Sequence, residues 1–182
     1  MSLICNCLIC KRKKWKFLCY GIQAIAVNAT ALPLIPPCTT SLFNATVFAI
    51  TTGEWNHSFA ALRKNRECVI AIPTVDMLDK VVGIGVCSGT DTDKFAKFKL
   101  TPVQSKVVRP PLIKECLANI ECKVIDIVKK HNIVVLEAVA AYIDTAHKEK
   151  RTVHAVGDGT FIVDGRKIDR RKMMASNIPY GV

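Results

Sequence analysis

No stretch of this chain stays apolar for the roughly 20 residues that a membrane-crossing helix needs. The nearest approach, Ile22 to Pro36, is interrupted by Gln23, Asn28, Thr30, Pro33 and Pro36. A secretory leader is not expected either, because the basic run Lys11-Arg12-Lys13-Lys14 follows the first apolar stretch instead of preceding it. The cytoplasm is the expected location, with no membrane partner.

Aromatic residues are scarce, at 7%. They show no regular spacing of the kind that stacks bases, and Trp15 and Phe17 beside the first basic run are too few for a stacking platform. Acids are also in deficit: 26 Lys and Arg stand against 15 Asp and Glu, a formal net charge of +11. That balance admits anionic partners without selecting one. The excess is concentrated in Lys11 to Lys16 and in Arg166 to Lys172, which read as solvated segments, so nucleic acid is not an expected partner. The four histidines are dispersed and no H-E-x-x-H segment exists, which argues against metal-assisted hydrolysis. A P-loop and a dinucleotide fingerprint are likewise missing.

Nine cysteines, an odd number, argue against a complete set of internal disulfides and for a reducing compartment. Cys5, Cys7, Cys10 and Cys19 lack the paired spacing of a zinc knuckle and read as free thiols of an arm. Cys68, Cys87, Cys116 and Cys122 sit among apolar residues and read as small core side chains. A length of 182 residues suits one core with terminal decoration. The expected division is a basic, cysteine-containing N-terminal arm over 1–20 and a single domain over 21–182.

The periodicity is that of strands broken by short helices. Val47 to Ile50 is a short strand candidate, and Ser58 to Lys64 makes two helical turns with Phe59 and Leu62 turned inward. Cys68 to Ile72 is apolar at every position and stopped by Pro73, so its neighbours must cover both faces. Thr74 is placed to cap a helix through Met77, Leu78, Val81 and Val82 that ends near Gly83 and Gly85. Asp91 is the expected cap of a second helix with Phe95 and Phe98 on one side and Lys94 and Lys97 on another. Pro110-Pro111 leads into Leu112 and Ile113. Ile120 to Ile125 and Ile133 to Tyr142 form an expected antiparallel pair turned at His131-Asn132, and Phe161 to Val163 is a last short strand. Successive close strands with brief helices favour a barrel, giving a fold that is mainly β with short helices.

Ser88-Gly89-Thr90-Asp91-Thr92-Asp93-Lys94-Phe95 is the segment suited to an anion. Gly89 permits a tight bend, Ser88 and Thr90 offer hydroxyl donors, and Lys94 offers an ammonium. Read from the residues alone, a capped turn with a surface lysine also satisfies this pattern. His57 and His154 read as turn or hydrogen-bonding histidines, and neither is assigned a catalytic role; Glu137, on an otherwise apolar strand, is expected either to pair with a base or to mark a polar site.

Glu67 to Thr74, Ser88-Gly89 with Asp93-Lys94-Phe95, Pro111-Leu112-Ile113 and Ile120-Glu121-Cys122 together resemble the flavin reductase-like family of FMN-binding split β-barrels. The resemblance continues through Glu137 and more loosely from His154 to Arg166, covering about two thirds of the chain. It implies a flavoprotein: an FMN-dependent oxidoreductase of the NAD(P)H:flavin reductase type, taking electrons from NADH or NADPH. The implied acceptors are flavin, oxygen, iron or a redox protein. It further implies a homodimer with FMN near the subunit interface. The family-like cofactor positions are Asn28 and Thr30 for the flavin edge, Thr40 and Ser41 facing the flavin, and Ser88, Gly89 and Lys94 for phosphate or ribitol. The early region departs from the family pattern, with Pro33, Pro36 and Pro37 intervening before Phe43-Asn44-Ala45-Thr46. Two further readings therefore stay open: an FMN-binding or flavin-storage module without efficient NAD(P)H oxidation, and a cofactor-free interaction protein.

Overall fold

The computed structural model describes residues 5–10, 17–27, 47–89, 91–155 and 159–166. In chain order the strands are β1 (Cys5–Cys10), β2 (Phe17–Val27), β3 (Val47–Thr51), β4 (Glu67–Ile72), β5 (Pro102–Val103), β6 (Leu112–Ile113), β7 (Ala118–Val128), β8 (Ile133–Ile143), β9 (Val153–Ala155) and β10 (Phe161–Val163). Helix α1 (His57–Asn65) lies between β3 and β4, while α2 (Leu78–Gly85) and α3 (Lys94–Lys97) lie between β4 and β5. Six strands close into a barrel in the order β1-β2-β3-β8-β7-β4. Every neighbouring pair in it is antiparallel. β5 pairs with β6 and β9 with β10 as separate ribbons.

β4 shows why this sequence needs two layers. Side chains alternate along a strand, and Cys68, Val69, Ile70 and Ala71 are all buried. Cys68 and Ile70 point into the barrel, among Phe48, Ile50, Ile120, Cys122, Val134 and Leu136. Val69 and Ala71 point outward, beneath Val81 and Ile84 of α2, Phe95 of α3, Ile113, Cys116 and Val153. Both faces of the strand are covered, as its unbroken apolar run demands.

Helix α1 plugs the barrel. Asn56 precedes it, and its side chain accepts a hydrogen bond from the Ser58 amide at 3.1 Å, satisfying one donor of the first turn. Phe59, Ala61 and Leu62 then join the interior cluster. Complete burial of Leu62 contributes about 1.5–3 kcal/mol by transfer. The helix ends at Arg66, which takes a left-handed conformation at φ 57° and donates its amide to Leu62 O.

Several local expectations are corrected. The expected arm contains β1, whose residues pair with both β2 and β4, and the expected boundary at residue 20 falls within β2. Cysteine acts as a small hydrophobe, so Cys5 to Cys10 carries a strand pattern that the adjoining basic run obscures. Thr74 does not cap the helix through its side chain, because a 3-10 turn over Val75–Met77 precedes α2. Helix α2 ends at Gly85, the second of the two expected stops, with Gly83 inside its last turn. Asp93, not Asp91, caps α3: the helix begins at Lys94, which puts the Ala96 amide within 3.2 Å of the Asp93 carboxylate. Cys68, Cys116 and Cys122 are buried as expected, whereas Cys87 is only half-buried.

The β7–β8 hairpin turns through a 3-10 segment, Lys129–His131, and Asn132 in the left-handed region at φ 54°. Register shifts at Glu121/Cys122 and Val124/Asp126 interrupt its ladder. Among the described residues no helix is long and apolar enough to cross a membrane.

Candidate functional site

The segment joining α2 to α3 forms the candidate site. It leaves the barrel layer at Ile84, which is buried, passes the exposed Val86 and Ser88 and the buried Gly89, and returns through the exposed Asp91 and Asp93. Lys94 closes it. Its side chain is only 4% exposed, and its Nζ donates to Ile84 O at 2.7 Å. Lys94 therefore packs inward beside Phe95, a correction to the outward face assigned by helical spacing. The cause is the last turn of α2, whose carbonyls form the negative end of the helix and attract a cation. The ammonium thus pins both ends of a ten-residue excursion that carries Ser88 and Gly89.

Ser88, Gly89 and Lys94 all lie on this one segment. Asn28, Thr30, Thr40 and Ser41 lie outside the described residues, as does Thr90. The residues present fit an anionic cofactor head: a hydroxyl at Ser88, backbone at Gly89 and a buried ammonium at Lys94 are donors. Asp91 and Asp93 count against a purely electrostatic site, although the Asp93 carboxylate is turned to the α3 amide. Among the described residues no cluster of His, Cys, Asp and Glu could hold a metal.

A second polar centre supports the neighbouring surface. Glu121 is fully buried on β7, yet its carboxylate accepts from the amides of Lys106, Val107 and Val108 at 2.9, 2.7 and 2.8 Å. Tyr142 Oη adds a fourth hydrogen bond at 2.9 Å. Burial, this bond and the Glu121 charge push the Tyr142 hydroxyl up to about 12. The carboxylate thereby organises the 105–110 strap, which Arg109 also fastens through a 2.8 Å ion pair with Glu67. Burial opposes the charge on Glu67, but the Arg109 guanidinium and amide outweigh it and hold the carboxyl below its usual range. The sequence assigns Glu121 no such role; a single acid inside Ile120-Glu121-Cys122 is the signal that points to it.

Histidines take supporting positions. His154 Nε2 lies 2.6 Å from Asp164 Oδ1, and Thr152 hydroxyl donates to the same carboxylate. The Thr152 hydrogen bond, against partial burial and with help from His154, holds the Asp164 carboxyl below its usual range. His147 lies between Thr74 Oγ1 at 3.2 Å and Asp144 at 3.6 Å. The side chain of His57 lies outside the described residues. Glu137 stands opposite Lys123 in the register of the β7–β8 pair.

This barrel, with its outer helices and strap, is a split barrel. It superimposes on flavoredoxin of Desulfovibrio vulgaris with a TM-score of 0.77 at 16% identity, covering 93% of this chain and 90% of that one. Flavoredoxin from Methanosarcina acetivorans matches with a TM-score of 0.74 at 19% identity, over 96% of this chain and 92% of that one. An FMN-binding protein from Thermus thermophilus, with bound 1-cyclohex-2-enone, gives 0.72 at 13% identity, over 93% and 90%.

The flavin reductase like domain model matches residues 24–160, and the chain belongs to that family. An uncharacterized protein of Archaeoglobus fulgidus is 36% identical over 83 residues, 46% of this chain and 47% of that protein. The uncharacterized protein YdfE of Bacillus subtilis is 28% identical over 131 residues, 63% of each. The chain thus spans between about half and just under two thirds of these curated relatives.

Proposed function

We propose that this chain is a flavin-dependent oxidoreductase that binds FMN, accepts electrons from NADH or NADPH and delivers them to flavin, oxygen, iron or a redox protein. The observation that carries this reading is the Lys94 clamp on Ile84 O, a buried ammonium closing the segment that bears Ser88 and Gly89 on a flavin reductase-like barrel. Bound FMN would supply the two-electron chemistry, leaving the polypeptide to hold and orient it. Ser88, Gly89 and Lys94 hold the phosphate or ribitol; Asn28, Thr30, Thr40 and Ser41 meet the flavin. A homodimer with FMN near its interface and a cytoplasmic setting complete the reading.

The test is the absorption spectrum of the natively purified protein, followed by anaerobic addition of NADH or NADPH. Bound flavin that bleaches within the mixing time supports the oxidoreductase. Bound flavin that does not bleach replaces it with a binding or storage module, and no flavin uptake after FMN addition replaces it with a cofactor-free interaction protein.

A further inference from the structure

The plugged end of the barrel carries a surface that flavin binding does not use. The Thr52 amide donates to Asn132 O at 2.9 Å, tying the turn before α1 to the β7–β8 turn. On the adjoining flank the Val124 amide donates to Arg66 O at 2.9 Å, and Arg66 Nη2 donates to Ile125 O at 3.2 Å. These bonds join the 52–56 turn, the end of α1, the second half of β7 and the Lys129–His131 turn into one continuous region.

Two large apolar side chains stand exposed there, Trp55 at 68% and Ile125 at 49%. Lys64, Arg66, Lys129 and Lys130 are exposed on the same linked segments. Among the described residues, none of these four cations pairs with a carboxylate. The local acids are largely engaged: Glu54 faces Arg63 at 3.5 Å, Glu67 is held by Arg109, and Asp126 accepts the Ile127 amide at 2.7 Å. A face kept only for solubility has little use for an exposed tryptophan. Exposed aromatic and apolar side chains together with arginine are instead the composition of protein–protein contact sites. A single tryptophan is a poor platform for successive bases.

We propose that this face docks an acidic protein partner, whose carboxylates meet Lys64, Arg66, Lys129 and Lys130 while an apolar group seats on Trp55 and Ile125. The docking is independent of whether the chain carries flavin. Complementary charge of this kind governs the encounter rate and makes binding sensitive to salt.

The experiment uses the full chain with Trp15→Phe, so that Trp55 alone reports by fluorescence, and a labelled peptide of alternating glutamate and leucine as probe. The expected result is a Trp55 fluorescence change on binding that weakens with added salt. Lys64→Glu/Lys129→Glu/Lys130→Glu should reduce affinity about tenfold or more, and Lys114→Glu/Lys148→Glu/Lys150→Glu, with the same change in net charge at other exposed lysines, less than about threefold. Circular dichroism establishes that both variants are folded. Equal losses in the two variants would overturn the proposal in favour of net charge alone, as would binding without a Trp55 response. Equally tight, equally patch-dependent binding of an oligothymidylate would overturn it in favour of a nucleic-acid surface.

Discussion

Tyr142 donates its hydroxyl to the Glu121 carboxylate at 2.9 Å, and the same carboxylate gathers the amides of Lys106, Val107 and Val108. The strap between β5 and β6 is thus held to the barrel wall through one side chain. Removing the acceptor strips its partner from four donors, the Val108 amide buried and the other three partly so, and a buried donor left unpaired costs about 1–3 kcal/mol. Glu121→Ala should therefore lose more than about 3 kcal/mol in urea unfolding. Glu121→Gln, which keeps the shape and one acceptor oxygen, should lose less. A cost below about 1 kcal/mol for the alanine variant would mean that the strap is held elsewhere.

Titration of Tyr142 follows from the same contact. Its hydroxyl is pushed up to about 12 from 10, first by burial and then by the bond to Glu121 and its charge. The folded state therefore holds this proton more tightly than the unfolded state. The associated stability is fully present below pH 10 and is lost as pH rises through 12. Phenolate absorbance should show one late-titrating tyrosine that Tyr142→Phe removes. A normal titration of every tyrosine would contradict the buried hydrogen bond.

Much of this architecture is legible in the sequence for a simple reason: complete burial leaves a local pattern. Cys68 to Ile72 is apolar at each position because one face meets the barrel interior and the other the α2 layer. β8 announces itself by an apolar run although only Val134 and Leu136 along it are buried, and His131-Asn132 separates it from β7. β1 was hidden because its pattern is short and written in cysteines beside lysines. The inward turn of Lys94 was hidden because its acceptor is a backbone carbonyl ten residues earlier, which no side-chain periodicity records. The same limit applies to Glu121, whose partners are three amides of a distant strap.

Gly83 shows a coupling that sequence alone reads as a helix terminator. A Cβ at this position would come within 2.5 Å of Phe98 Cε1, so the ring must move to accept alanine. Alanine is otherwise favoured over glycine inside a helix by about 1 kcal/mol. Gly83→Ala is expected to be destabilising or neutral in the native background but stabilising by roughly 1 kcal/mol once Phe98→Ala has removed the ring. A double-mutant cycle by thermal unfolding checks the change of sign. Stabilisation by Gly83→Ala with Phe98 in place would show that the ring shifts without cost.

The cysteines should separate by environment. Cys116 is pushed up to about 12, chiefly by burial and then by the Glu115 and Asp76 charges, so it holds little thiolate near neutral pH. Cys68 and Cys122 are shielded by the core, while Cys87 is half-buried beside the candidate site. Peptide mass mapping after brief native alkylation should find Cys87 modified ahead of Cys68, Cys116 and Cys122. FMN bound at Ser88 and Gly89 should slow that modification. Comparable labelling of Cys116 would show that the outer layer opens on the experimental timescale.

Lys94 allows the proposed flavin site to be tested against a purely structural role. Its ammonium closes the α2–α3 segment on Ile84 O, so Lys94→Met removes both the clamp and the fixed charge. If that charge also acts on a cofactor phosphate, FMN affinity should fall about tenfold, or ~1.4 kcal/mol, and the remaining affinity should depend less on salt. Lys94→Arg retains charge and donors and should recover part of the loss. Flavin fluorescence titrations at several salt concentrations measure both quantities, with thermal unfolding run in parallel. Loss of stability with an unchanged FMN affinity and salt slope would confine Lys94 to holding the loop, because only a charge acting on the bound anion alters the response of binding to salt.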